Sequence, residues 1–169
     1  MKEVSPVRSA LFLMSFALWA SPFILSPASA APPPKPPVPW PTTQLTFPDK
    51  KTITVEVAAT PEAREYGLME RESLPKDYGM LFAFPIETGL QFWMKNTLVE
   101  LDMVFIGKDK RVTVVHHRVP KSSRETPEEQ LARRGGLAQY VLELPSGDAR
   151  RHKLQRGQTL AFELPIPKR

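Results

Sequence analysis

The stretch Gln91 to Phe105, QFWMKNTLVELDMVF, governs the reading of the whole chain. Aromatic, β-branched and long apolar residues flank Asn96-Thr97, a pair suited to a turn because Asn tolerates positive φ. The pattern predicts a β-hairpin with arms Leu90–Asn96 and Val99–Ile106. Alternation sets Trp93 and Lys95 on one face of the first arm, and Phe92, Met94 and Asn96 on the other. In the second arm Val99, Leu101, Met103 and Phe105 form an apolar face, and Glu100 and Asp102 share the other with Leu98, Val104 and Ile106. Depending on register, Glu100 or Asp102 lies across from Lys95, an ordinary structural pairing worth roughly 0.2–1 kcal/mol.

Upstream, Thr52–Ala59 alternates cleanly, with Ile53, Val55, Val57 and Ala59 on one side, as a half-buried strand does. Thr60-Pro61 then predicts a helix start, Thr as N-cap and Pro at the first helical position. Glu62 and Glu65 fall in the first turns, where the dipole favours them. The expected end is near Arg71, before Leu74-Pro75. Gly79–Phe84 reads as a short apolar strand ending at Pro85. Downstream, Val112–His116, Tyr140–Leu144 and Thr159–Leu164 read as strands. Pro120–Gly136 reads as a long polar loop holding a short helix at Pro127–Arg134. Seven short strands with one or two short helices imply an α+β domain of predominantly antiparallel sheet, curled into a barrel-like form.

The ends of the chain speak to location. Lys2 and Arg8 precede an apolar run, Ala10–Leu25, and Ala28-Ser29-Ala30 supplies an A-x-A cleavage pattern. Residues 1–30 are therefore expected to be a signal peptide cleaved after Ala30, giving a periplasmic or secreted protein. The run is shorter than the roughly 20 residues that span a bilayer and contains Pro22. Seven prolines in Pro32–Pro41 make residues 31–43 an extended spacer, leaving 44–169 as one globular domain. The chain has no cysteine, so lipid acylation at cysteine and disulfides are both excluded. Charge is uneven: Thr42–Gly107 carries six basic and ten acidic residues, Lys108–Arg169 fourteen and seven. The basic half lacks an aromatic-rich reading motif, and no nucleic-acid partner is expected. Weak attraction to an anionic envelope is.

Five ordered blocks, VAATPEAREYGLMER, LPKDYGMLFAF, FWMKNTLVELDMVFI, YVLELPSGDA and QRGQTLAFEL, resemble the family called domain of unknown function 192. They span nearly all of Val57–Leu164. The resemblance implies a compact, mostly β domain, often exported, in bacteria and archaea. It implies no activity. The long charged loop Pro120–Gly136 departs from it.

Six residues are candidates for a ligand site: Arg64, Arg71, Trp93, Lys95, Asn96 and Asp102. Arg64 and Arg71, seven apart, share one side of an unbroken helix about 10 Å apart. They suit bidentate recognition of a carboxylate or phosphate, or pairing with neighbouring glutamates. Gly67 between them costs roughly 1 kcal/mol in mid-helix, so close packing or a ligand should require its small size. Trp93 would stack, Lys95 would meet an anion, and Asn96 and Asp102 would bind hydroxyls or amides. The leading expectation is an accessory module binding a small polar or anionic ligand. A hydrolase or lyase using Asp102 with Lys95, and an envelope-associated protein-interaction module, are the alternatives. There is no nucleophile elbow, phosphate-cradling glycine loop or glycosidase carboxylate pair. No cofactor or metal is expected: His116 and His117 point to opposite faces of a strand, and the methionines suit core filling better than copper.

Overall fold

The computed structural model describes residues 40–164. The expected signal peptide lies outside the described residues, and so does most of the expected spacer. Trp40, at the end of that spacer, is buried.

Seven strands form one curled sheet: β1 (Thr42–Thr46), β2 (Thr52–Ala58), β3 (Met80–Trp93), β4 (Leu101–Ile106), β5 (Val112–Val119), β6 (Arg133–Pro145) and β7 (Ala161–Phe162). Their order across the sheet is β5-β4-β6-β3-β2-β1-β7. Only β2 and β3 are parallel; the other neighbours are antiparallel. Two short helices, α1 (Pro61–Tyr66) and α2 (Asp148–Arg151), complete the α+β fold. The two edges meet at one end, where Arg111 bridges Thr159, Val112 N–H donates to Gln158 O at 2.8 Å and Leu160 N–H to Lys110 O at 3.0 Å. This half-closed barrel is filled by Leu45, Val55, Leu81, Val104, Leu142 and Phe162, one from each of six strands.

The central strands are apolar on their other face too. Met80, Phe82, Leu101, Met103, Phe105 and Val141 form a second core, covered by Trp40, Ala63 of α1 and Leu68 beyond it. Every residue of β4 is therefore buried, as in a strand sandwiched between two layers.

The predicted hairpin does not form. β3 and β4 are not neighbours, because β6 lies between them and pairs with both. The turn at Asn96-Thr97 is real, with Asn96 at φ 51°, but it opens a crossover instead of a tight hairpin. GMLFAF and the Leu90 arm are two halves of one strand, β3, fourteen residues long. Its pairing with β6 shifts register between Ala83 and Thr88, around Pro85. Pro85 is tolerated there because a bulge needs no ladder hydrogen bond from it. Gln139 Nε2 donates to the freed carbonyls of Phe84 (3.2 Å) and Pro85 (3.3 Å). The expected loop after Pro120 is present and holds a short helical element, but this is a single 3₁₀ turn at Glu128–Gln130, and the loop ends earlier than expected, where β6 begins at Arg133. β1 was not anticipated. It lies between β2 and β7, and its run of Thr and Gln carries one buried apolar residue, Leu45, too weak a pattern to announce a strand.

α1 is shorter than expected. Thr60 Oγ1 accepts from Ala63 N–H and Pro61 opens the first turn, as predicted. The helix ends at Gly67, where φ is +49° and the glycine N–H donates to Ala63 O. A Cβ at Gly67 would stand 3.0 Å from Phe82 Cζ, so both backbone conformation and close packing require glycine. Arg64 and Arg71 are consequently not on one helix.

Candidate functional site

Between α1 with its following turn and the outer face of β3 lies a cavity of about 200 Å³. One wall is Arg64 to Met69. The other is Phe82 and Phe84, then, beyond the bulge, Gln91, Phe92 and Trp93, with Lys95 and Thr97 following. The bulge brings both halves of β3 to this wall. Its aromatic residues lock edge to face: Phe82 and Phe92 at 5.0 Å and 89°, Phe84 and Phe92 at 6.1 Å and 70°. Such pairs hold a wall rigid without filling its space.

Three of the six predicted residues line this cavity. Arg64 sits over the Phe84 ring at 4.8 Å, and its Nη1 donates to Ala59 O (2.6 Å) and Ala83 O (3.0 Å). Burial pulls its pKa below the usual arginine value, yet a guanidinium stays charged in proteins. Trp93 keeps 37% of its surface exposed at the mouth. Lys95 Nζ lies 5.0 Å, and Arg133 Cζ 5.9 Å, from its ring centroid. The mouth is thus an aromatic plate edged by cations.

The other three are outside the cavity lining. Arg71 Nη2 pairs with Glu56 Oε2 at 2.5 Å and Nη1 donates to Tyr78 Oη at 2.7 Å, while Tyr78 also donates to Glu56 at 2.8 Å. Burial first, then the bond to Glu56, raises the Tyr78 phenol pKa well above normal. Asn96 serves the turn, its carbonyl accepting from Glu70 N–H at 2.9 Å. Asp102 alternates with Met103 and so leaves β4 toward the barrel core, away from the cavity. It is fully buried. Oδ1 accepts from Arg118 N–H at 2.8 Å, and Oδ2 from Gly147 and Ala149 N–H at 2.9 Å each. Gly147 is the N-cap of α2 and has no side chain to cap it. Asp102 provides that cap from β4. Lys95 and Asp102 therefore stand on opposite faces, and the acid–base pair built on them has no support in this geometry.

One residue went unnoticed. Glu143, near the C-terminal end of β6, reaches the same cavity and is only 5% exposed. Burial alone pushes its pKa up to about 8, with no hydrogen bond or nearby charge offsetting it. At neutral pH this side chain is predominantly an uncharged carboxylic acid. The signal was present in YVLELP: a lone acid within an apolar run is rarely buried without a reason.

A wider groove of about 630 Å³ runs past Lys108, Arg111 and Gly157. Its acidic groups serve local turns, Glu87 accepting from Lys108 N–H at 2.7 Å and Asp109 from Arg111 N–H at 3.1 Å. Among the described residues no group of three His, Asp or Glu side chains could hold a metal ion. Among them, too, no helix is long and apolar enough to cross a membrane.

No curated protein matches the chain. Two solved structures do. A protein from Sinorhizobium meliloti 1021, provisionally named a transcription regulator, is 32% identical, with a TM-score of 0.63 over 75% of this chain and 98% of that one. A protein of unknown function from Novosphingobium aromaticivorans DSM 12444 is 27% identical, with a TM-score of 0.60 over 78% and 94%. The family model described as "Uncharacterized ACR", domain of unknown function 192, matches residues 43–162. With that model spanning strands β1 to β7, the chain belongs to the domain of unknown function 192 family.

Proposed function

We propose that this domain is an exported accessory module that binds a small polar or anionic molecule in the cavity between α1 and β3. The observation that carries the reading is the convergence of Arg64, Trp93 and Lys95 on one aromatic-walled cavity. Two cations and a stacking plate at a mouth are a recognition surface for an anion attached to a small flat or apolar body. The volume, about 200 Å³, is below the roughly 300–1,000 Å³ usual for drug-sized ligands, so the occupant is a small metabolite. The A-x-A pattern at Ala28–Ala30 supports a role outside the cytoplasm.

Amide and indole NMR shifts test this, with short-chain carboxylates, a hexose and a phosphate monoester as probes. The carboxylates or the phosphate ester should move the resonances of Arg64, Trp93 and Lys95, and Trp93→Ala should weaken that binding at least about tenfold with the fold retained. Shifts confined to other surfaces would refute the reading. Cell fractionation with N-terminal sequencing tests export: a mature start at Ala31 is expected.

A further inference from the structure

The cavity has two ends of different character. Its mouth holds Arg64, Lys95 and Trp93; its inner end is Glu143 among Phe82, Leu68 and Thr97, all of them buried. A carboxyl group buried to this degree normally has a hydrogen-bond partner, because leaving one unpaired is costly. Among the described residues Glu143 forms no side-chain hydrogen bond, and its carboxyl opens on the space of the cavity instead of being sealed within the core.

We infer that Glu143 hydrogen-bonds the neutral polar end of a small acid whose anionic end lies at the mouth between Arg64 and Lys95. The inference rests on the ligand-binding reading above and names the ligand class: short-chain acids bearing a carbonyl oxygen away from the carboxylate. A neutral tail is selected over an ammonium tail because the inner end carries no compensating charge, and burying an ion pair there costs more than burying a neutral hydrogen bond. An uncharged Glu143 offers one O–H donor, which a carbonyl oxygen accepts. A purely apolar tail would fill the same space and leave that donor unmet.

The titratable groups of the elements packed around the cavity are few, and none offsets the burial of Glu143. Tyr78, whose pKa its charge raises, is held by Glu56 and Arg71. Arg64, Glu65, Tyr66 and Lys95 line the cavity. The paired strand neighbours Met80 and Met103 do not titrate.

Three probes of nearly equal size decide the matter: 4-oxopentanoate, pentanoate and 4-aminobutanoate. Each has the same carboxylate, so the groups at the mouth cancel from any ratio of affinities. Titration of the full chain by NMR and calorimetry should give 4-oxopentanoate about tenfold tighter binding than pentanoate at pH 6. That preference should fade as pH rises through about 8, where Glu143 loses its proton. Glu143→Gln, which still carries a donor, should keep the preference and lose its pH dependence. Glu143→Leu should abolish the preference. Equal affinities for the oxo and alkyl acids in the unaltered protein, or tightest binding of 4-aminobutanoate, would overturn the inference while leaving the ligand-binding reading standing. If none of the three acids perturbs the cavity resonances, the inference falls, and the ligand-binding reading falls with it only if the phosphate monoester also leaves them unmoved.

Discussion

Replacing Asp102 by Asn separates a structural carboxylate from a chemical one. The change keeps the side chain's shape and removes its charge. Asp102 accepts three backbone N–H bonds with no solvent near it. Hydrogen bonds to a charged partner contribute roughly 1.5–3 kcal/mol each. Asn keeps one acceptor oxygen and turns an NH₂ group toward the other donors. If the oxygen stays with Gly147 and Ala149, Arg118 N–H loses its partner and faces a second donor; the reverse placement strands two donors at α2. Either way the loss is about 3–4 kcal/mol, a large part of the roughly 5–15 kcal/mol that holds a domain together. Each kcal/mol corresponds to about 3–6 °C for a domain of this size, so Tm should fall by roughly 10–20 °C. Differential scanning calorimetry reads the shift. Binding of a carboxylate probe at a temperature where the variant is folded should be unchanged. A Tm within about 3 °C of the parent would refute the account of Asp102 as the remote cap of α2. Lost binding at unchanged Tm would return it to the site.

Gly136→Ala places a Cβ 2.6 Å from Val114 Cγ1 and 2.9 Å from Phe105 Cγ; a loss of about 1–3 kcal/mol in urea unfolding is expected, and a neutral result would mean that β5 yields. Arg71→Ala should cost about 2 kcal/mol by unpairing Glu56 and Tyr78, with no change in probe affinity; weakened binding at unaltered stability would put Arg71 in the site after all. The pKa of Glu143 is raised on folding, from 4.5 to about 8, so the native state holds a proton that the unfolded chain has released between those values. Its contribution is therefore fully present below about pH 4.5 and is lost as pH rises toward 8. Glu143→Gln should accordingly gain stability relative to the parent between pH 5 and pH 8 in urea midpoints; a constant difference would contradict a native-state proton on Glu143.

How far the sequence could be read depended on whether burial was one-sided. β2 was legible almost to the residue because Ile53, Val55 and Val57 face a core while Thr52 and Thr54 face water. β4 is buried on both faces, and its alternation of Asp102 with apolar residues reflects a capping role that nothing nearby in sequence announces. The false hairpin had the same origin. Local pattern identified two extended segments and a turn, but the insertion of β6 between them is a pairing across some forty residues of chain. In the site, Trp93 and Lys95 stood out through their chemistry and do line the cavity. Arg71 stood out equally, yet its partners Glu56 and Tyr78 meet it only in the folded sheet. Glu143 was hidden by its neighbours, since an acid between Leu142 and Leu144 looks like one polar face of an ordinary alternating strand.

The Arg64 guanidinium ties the carbonyl of Ala59, just past the end of β2, to that of Ala83 in β3 while also forming part of the cavity wall. Those two strands are the only parallel pair in the sheet. One side chain thus belongs to the scaffold and to the site together, and a lineage cannot alter it without loosening both. Gln91, Trp93 and Lys95 carry no such double duty: they project from the far end of β3, past the bulge, and leave the barrel untouched. Substitutions there would reshape the cavity mouth while the barrel and its arginine clasp stay a fixed chassis.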